Sequence, residues 1–485
     1  MLEVNRNLRR SVSINMVGRY SNIVIQLAVT AVLARVLSPE DFGLIAVVSV
    51  IAVFLSFVSE MGLGPAIIQF DDLTAAQLAG LFWITIAIGS IAGLTLASCG
   101  PFIAKIYAKA VYVKIANGLG LNVTLSCWAI VPLALLRRRQ RFTTIASMEV
   151  GAAALSGACA AFSALYGGGV DTLVVKSTGN ALLIFLMCFV WQRPPMSRPS
   201  VRGMRHVISY SVYQFLFNLV NYFTRNLDKL LIGKFLGSVQ LGLYDMSYRL
   251  MLMPISNLTH VVTPAIQPVY AAHSTDTTII FSSYQNLLRV LFVGGGFVGL
   301  MALTCSPEII ILAYGSQWTE AIPVFSILSF SITVQVVLSS TGSVFQALGK
   351  TKQLLKCGVF STFTAGTAIG VGIYFSDLKL LSWLLVISFF LNALQGFYIL
   401  ASEGFGRSMV ELFRPAGRVI LGIAMLSLIV GVGRDQIYAL SGNALLRLAI
   451  KVPIISAFYL MMIFVTGDVA FLRRMLTVRV RQSPI

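Results

Sequence analysis

A stripe of polar and charged side chains runs through one of the most apolar parts of this sequence. Asn218, Asn221, Arg225 and Asp228 recur at helical spacing, with Lys229 beside them, inside the apolar run 207–236. On a helix the first four share one face. A charged side chain at the centre of a bilayer costs at least about 2.5–3.5 kcal/mol, so such a face turns toward protein or water rather than lipid. Arg19, Asn22 and Gln26 make a second stripe, and Asp245 and Arg249 form an i,i+4 pair. Glu60, Glu149, Lys176 and Arg289 stand singly in further apolar runs.

Cations outnumber acids in this set: Arg19, Lys176, Arg225, Lys229, Arg249 and Arg289 against Glu60, Glu149, Asp228 and Asp245. With the amides Asn22, Gln26, Asn218 and Asn221, the residues Arg19, Arg225, Lys229 and Arg249 suit a cavity for an anion such as a diphosphate. The carboxylates Asp228, Glu60, Glu149 and Asp245 are the candidates for coupling a cation. The same charges also admit a structural reading, in which Arg225–Asp228 and Asp245–Arg249 neutralise each other and hold helices together. The nearby aromatics Tyr20, Tyr222, Tyr244 and Tyr248 fit stacking on sugar rings, and equally packing or interface anchoring.

No enzyme signature accompanies these charges. The sequence has no Walker A loop, no HExxH and no GxSxG. Six scattered cysteines form no CxxC, and the three histidines have no partner at ligand spacing, so no metal and no cofactor is expected. Gly167–Gly169 reads as a tight turn between helices. Gly294–Gly296 lies inside an apolar run, where glycine permits close helix contact or a bend.

The elements that must carry the charges are membrane helices. Hydrophobic residues make up 57% of the 485 and charged residues 11%, against about 25% charged in soluble chains. Mean hydropathy is +0.84. Fourteen apolar runs approach the length of about 20 residues that spans a bilayer: 12–36, 41–64, 77–99, 112–135, 142–166, 170–191, 207–236, 240–268, 282–305, 321–347, 353–375, 380–401, 416–433 and 444–466. The connections left over are too short for a soluble domain. The outside connection at 306–320 is the longest, and it is too short for the catalytic loop of a sugar polymerase.

Charge sets the expected orientation. Of the 36 Lys and Arg, 21 cluster in alternating connections, including Arg137–Arg139 with Arg141, Lys350 with Lys352 and Lys356, and Arg407 with Arg414 and Arg418. With fourteen spans these fall on one side with both termini, and the positive-inside rule makes that side cytoplasmic. Two connections expected on that side, 65–76 and 269–281, contain no Lys or Arg. The pI near 9.9 does not indicate nucleic-acid binding, because the basic residues flank membrane spans. Anionic lipid headgroups account for them.

The chain also repeats itself. At an offset of 199 residues, Asn22 aligns with Asn221, Arg35 with Lys234, Leu37 with Leu236, Gly43 with Gly242, Leu44 with Leu243 and Pro65 with Pro264. Two related halves of a polytopic protein are a common plan for a carrier with a central site. The register sets Arg19, Asn22 and Gln26 against Asn218, Asn221 and Arg225. Asp228 and Lys229 correspond only to Val29 and Thr30, so the second half carries the heavier charge.

Four stretches carry a family resemblance. They are ARVLSPEDFGL from Ala34 with its continuation to Gln69, NLDKLLIGKFLGSVQLGL from Asn226 with its continuation to Tyr270, SPEIIILAYGSQWTEAIPVFSILSFS at Ser306–Ser331, and LGKTKQ at Leu348–Gln353. Together they resemble Wzx-type oligosaccharide flippases of the polysaccharide transporter family, most of all the exopolysaccharide branch that exports colanic acid and succinoglycan. That family falls in the multidrug/oligosaccharidyl-lipid/polysaccharide exporter superfamily. The resemblance implies an all-α polytopic membrane protein, with two pseudo-symmetric six-helix lobes (1–200 and 201–405) and two further helices with a basic tail (406–485). It implies transfer of an undecaprenyl-diphosphate-linked repeat unit across the bacterial inner membrane by alternating access, without enzyme activity. Asp228 and Lys229 are the residues that carry over most directly, in LDKLLIG. The expected partners are that lipid-linked oligosaccharide, membrane lipids and a polymerase or glycosyltransferase complex; the working form is expected to be a monomer. Competing readings are a drug/cation antiporter or lipid II flippase of the same superfamily, a membrane sugar polymerase, and a scaffold in a biosynthetic complex.

Overall fold

The computed structural model describes residues 2–60, 62–70, 73–195, 222, 226–272, 277–432 and 443–471, without the side chains of 2–17, 259–272, 351 and 430–432. Among the described residues there are helices and no strand, and the chain forms two compact units, Met1–Gly242 and Leu243–Ile485. Ten described helices are long and apolar enough to cross a membrane, or eleven if one bent pair counts as a span. These coincide with eleven of the fourteen expected runs. The runs 12–36 and 240–268 fall on helices of 35 residues each. The run 207–236 lies largely outside the described residues.

The first unit holds α1 (Leu2–Val36), α2 (Pro39–Glu60), α3 (Leu63–Gln69), α4 (Ala75–Tyr107), α5 (Val111–Trp128), α6 (Ile130–Arg138), α7 (Phe142–Leu165), α8 (Val170–Trp191) and α9 over 226–235. Local chemistry starts and stops them. Thr74 and Gln77 close a capping box at the start of α4: the Thr74 amide donates to Gln77 Oε1 at 2.9 Å, and the Gln77 amide to Thr74 Oγ1 at 3.3 Å. The turn Gly167–Gly169 separates α7 from α8 as expected, with positive φ at Gly167 and Gly169. The run 112–135 is not one helix but α5 and α6, broken near Ala129. Pro132 has no amide to donate to the Trp128 carbonyl, so the helical ladder is interrupted there.

Helix α4 packs on α5, α1 on α7, and α8 on both α5 and α7. The α4–α5 crossing depends on glycine. A Cβ on Gly120 would lie 2.5 Å from the Gly93 carbonyl oxygen, and one on Gly93 would overlap Thr124 and the Gly120 carbonyl. Small residues let helix backbones approach where lipid offers no hydrophobic drive to association.

The second unit contains most of α10 (Ser238–Ala272), then α11 (Thr277–Thr304), α12 (Ser306–Tyr314), α13 (Ala321–Ser329), α14 (Ile332–Leu338), α15 (Thr341–Ala347), α16 (Thr351–Tyr374), α17 (Leu378–Ile399), α18 (Met409–Phe413), α19 (Gly417–Val432) and α20 (Ala444–Val465). Two sequence expectations change here. The supposed open connection 306–320 is α12 followed by a 3₁₀ turn at Ser316–Trp318, with Pro307 at the helix start where its missing amide costs nothing. The run 321–347 bends by 47° between Ser329 and Ile332. Serine hydroxyls sit at the break: Ser329 bonds back to the Phe325 carbonyl at 2.7 Å and Ser331 to that of Leu328 at 2.7 Å. Such back-bonding competes with the helix ladder and bends it.

The glycines 294–296 serve close contact within α11. A Cβ on Gly295 would sit 3.1 Å from Val336 of α14, and Tyr459 of α20 donates to the Val293 carbonyl at 2.8 Å. Helices α16 and α17 are tied by a polar knot, in which Asn392 accepts from Thr364 at 3.0 Å and donates to Ser361 at 3.1 Å. Replacing Gly120 by Val should therefore lower the melting temperature in detergent, at a cost of about 1–3 kcal/mol or more from overpacking. Gly366→Val is the control, because a Cβ there meets nothing within 4 Å; its melting temperature should stay within a degree or two of the parent.

Candidate functional site

Each unit holds its own set of intramembrane charges. In the first unit, α1 carries the Arg19, Asn22 and Gln26 stripe. Gln26 Nε2 donates to Asn22 Oδ1 at 3.4 Å, and Arg19 is exposed on the same helix. Lys176, single in the sequence, reaches from α8 to Thr30 Oγ1 of α1 at 3.2 Å.

Glu60 lies in the last turn of α2 and Glu149 two turns into α7, both half-buried. They are not isolated: Arg137, in the last turn of α6, is near enough for its charge to act on both. The α2 helix stops at Glu60 because the chain turns through Gly62 at φ 73°, and a Cβ at Gly64 would lie 3.1 Å from the Glu60 carboxylate. Arg139 is held separately, by Gln192 Oε1 at 2.7 Å.

Asp228 and Lys229 fall in α9. Asp228 is buried and its Oδ1 accepts from the Lys229 amide at 2.8 Å; the Lys229 side chain is half-buried. Asn218, Asn221 and Arg225 lie outside the described residues. Tyr222 is a packing residue: its hydroxyl donates to the Val50 carbonyl of α2, and its ring lies 5.5 Å from that of Phe57.

In the second unit Asp245 and Arg249 form the expected i,i+4 pair, with Arg249 Nε 2.7 Å from Asp245 Oδ2. Asp245 is 1% exposed, while the Arg249 side chain is 55% exposed. Of the pair, the guanidinium is thus the accessible group and the carboxylate the covered one. Tyr244 and Tyr248 stack beside it, ring centres 5.5 Å apart.

Arg289 is also not isolated. It pairs with the fully buried Asp468, which accepts as well from Thr466, and its guanidinium lies 4.3 Å above the Phe471 ring. A second buried group joins α12 to α20: Glu308 accepts from Lys451 Nζ at 2.8 Å and lies 3.5 Å from Arg447 Nε. The expected span 444–466 took no account of these two cations. Their i,i+4 spacing inside an apolar run was the available signal. Glu308 was hidden in what read as a loop. Among the described residues no group of His, Cys, Asp and Glu is placed to hold a metal ion.

The two units define an all-helical, multi-pass membrane protein, and several of the charges in its described helices sit in ion pairs. Its fold is similar to that of a solved structure of the lipid II flippase MurJ in an inward closed conformation. The TM-score is 0.70 at 11% identity, covering 95% of this chain and 99% of the other. Residues 32–323 match the model of the polysaccharide biosynthesis protein family, and the chain belongs to that family. Similar members include the teichuronic acid biosynthesis protein TuaB of Bacillus subtilis (strain 168), 24% identical over 78% of this chain and 79% of that one. The lipopolysaccharide biosynthesis protein WzxC of Escherichia coli (strain K12) is 23% identical over 70% of each.

The Arg289–Asp468 pair gives a stability prediction. Arg289→Met should cost about 3–5 kcal/mol, because it strands a buried carboxylate. The double variant Arg289→Gln/Asp468→Asn should recover most of that loss, read as melting temperature in detergent.

Proposed function

We propose that this protein is a flippase of the bacterial inner membrane. It moves an undecaprenyl-diphosphate-linked oligosaccharide repeat unit from the cytoplasmic to the periplasmic leaflet, for exopolysaccharide, capsule or O-antigen assembly. The observation that carries this reading is family membership over 32–323 in a chain with ten or eleven membrane-capable helices among its described residues. The basic connections Arg137–Arg141, Lys350–Lys356 and Arg407–Arg418 face the cytoplasm with both termini. The protein then exposes its substrate site to each leaflet in turn.

Within this reading, the diphosphate is drawn by cations. Arg249 is the best placed, since Asp245 fixes its direction from behind and its outer face is open to a ligand. Arg19, Arg225 and Lys229 add to the attraction, and Asn22, Gln26, Asn218 and Asn221 offer hydrogen bonds to sugar hydroxyls. Asp245 is committed to Arg249. Glu60 and Glu149, half-buried carboxylates with no salt bridge to a cation among the described residues, are the candidates for exchanging a cation, and Asp228 is a further one.

Deleting the gene and extracting lipids tests the function. Complete lipid-linked repeat units should accumulate and surface polymer should fall at least tenfold. Unchanged polymer with no accumulated intermediate would sink the proposal. Charge reversal at Arg225 or Arg249 should cut polymer export at least several-fold at normal protein level; full export in both variants would return these arginines to a structural role.

A further inference from the structure

The repeat register aligns Pro39 with Ser238 and Gly43 with Gly242, and the structure brings these two pairs into contact. A Cβ on Gly43 would overlap the carbonyl of Ser238. A Cβ on Gly242 would overlap the carbonyl of Pro39. Each overlap is the image of the other, so the two copies meet as an isologous pseudo-two-fold contact made of backbone alone. We propose that this glycine pair, latched by Glu40, Lys109 and Ser238, is a separable joint that closes the periplasmic end of the first unit. The assignment of that end to the periplasm rests on the orientation proposed above.

Three features make the joint separable. At the two glycines the contact is backbone against backbone, so at that point the chains can part and meet again without side chains having to unthread. Its surroundings are polar: Lys109 Nζ donates to Glu40 and, at 2.8 Å, to Ser238 Oγ, and Ser238 Oγ lies 3.3 Å from Glu40 Oε1. The Lys109 and Glu40 side chains are 40% and 45% exposed, and such ion pairs contribute little net stability, so they hold the end shut weakly. Further, α9 is fastened to the end of α4 by groups that water can replace: Tyr107 donates to the Leu230 carbonyl at 3.0 Å and Lys234 to that of Ile106.

The latch gathers three connections expected on one side of the membrane, those after α1, after α4 and after α9. Beneath it Val47 is fully buried, and a Cβ on Gly233 would sit 2.9 Å from Val47 Cγ2. Loss of the joint would therefore expose Val47 to water from outside.

That exposure is the test, and it needs no substrate. In right-side-out spheroplasts, a membrane-impermeant maleimide should label Val47→Cys slowly, after subtracting the labelling of the parent's native cysteines. Adding Gly43→Ala or Gly242→Ala should raise the rate at least fivefold, and to a similar degree for each. Glu40→Lys or Lys109→Glu alone should raise it as well, whereas the swapped pair Glu40→Lys/Lys109→Glu should stay within twofold of the parent. The joint is refuted if either glycine variant, well folded by gel filtration, leaves labelling unchanged. Should the glycine variants not fold, equal labelling in the single and swapped charge variants would refute it. A gene deletion without accumulated lipid-linked units would instead remove the flippase reading and leave the joint standing.

Discussion

An ionised side chain cannot be left alone in hydrocarbon, and much of this structure follows from that rule. Nearly every intramembrane charge that looks single in the sequence has acquired company in the fold. Arg289 meets Asp468, Lys176 meets Thr30, and Arg137 lies within electrostatic reach of Glu60 and Glu149. Paired burial is not a large source of stability, since desolvation offsets most of the attraction. It does fix which helices are neighbours. Glu308 with Lys451 and Arg447, together with Arg289 and Asp468, ties both ends of α20 to α11 and α12.

Between the charges, two small residue types do opposite work. Glycine lets backbones touch, as at Gly93 and Gly120 in α4 and α5 and along Gly294–Gly296 in α11. Serine and threonine bend or knot the helices instead. Their hydroxyls sit at the break after α13 in the run 321–347, and with Asn392 they bind α16 to α17. In a lipid solvent these contacts take over part of the specificity that apolar packing supplies in water.

What could be read from the sequence was what is local. Apolar runs located the helices, the i,i+4 spacing located Asp245–Arg249, and the repeat located the two glycines that later proved to touch. The break at Ala129 had a visible cause in Pro132 but was hidden by the apolar character on both sides. Helix α12 was missed because Ser306, Pro307 and Glu308 look like a loop when the partner of Glu308 is unknown. That partner lies 143 residues away, and the partner of Arg289 lies 179 residues away, beyond the last apolar run. No window on the sequence contains both members of either pair. Asn218, Asn221 and Arg225, the most conspicuous chemistry in the sequence, fall outside the described residues, and the rest of the cluster, Asp228 and Lys229, lies on α9.

Those long separations also have a meaning in time. A ribosome adds about 5–20 residues per second. Arg289 is therefore made about 9–36 s before Asp468. Glu308 likewise precedes Lys451 by 143 residues. During that interval α11 and α12 must enter the bilayer, or wait beside the insertion machinery, with charges whose counter-ions in and just after α20 have not yet been made. The segment from α20 to Asp468 thus supplies the counter-charges of α11 and α12, and the delay before it does so is set by the distance along the chain between the buried charges.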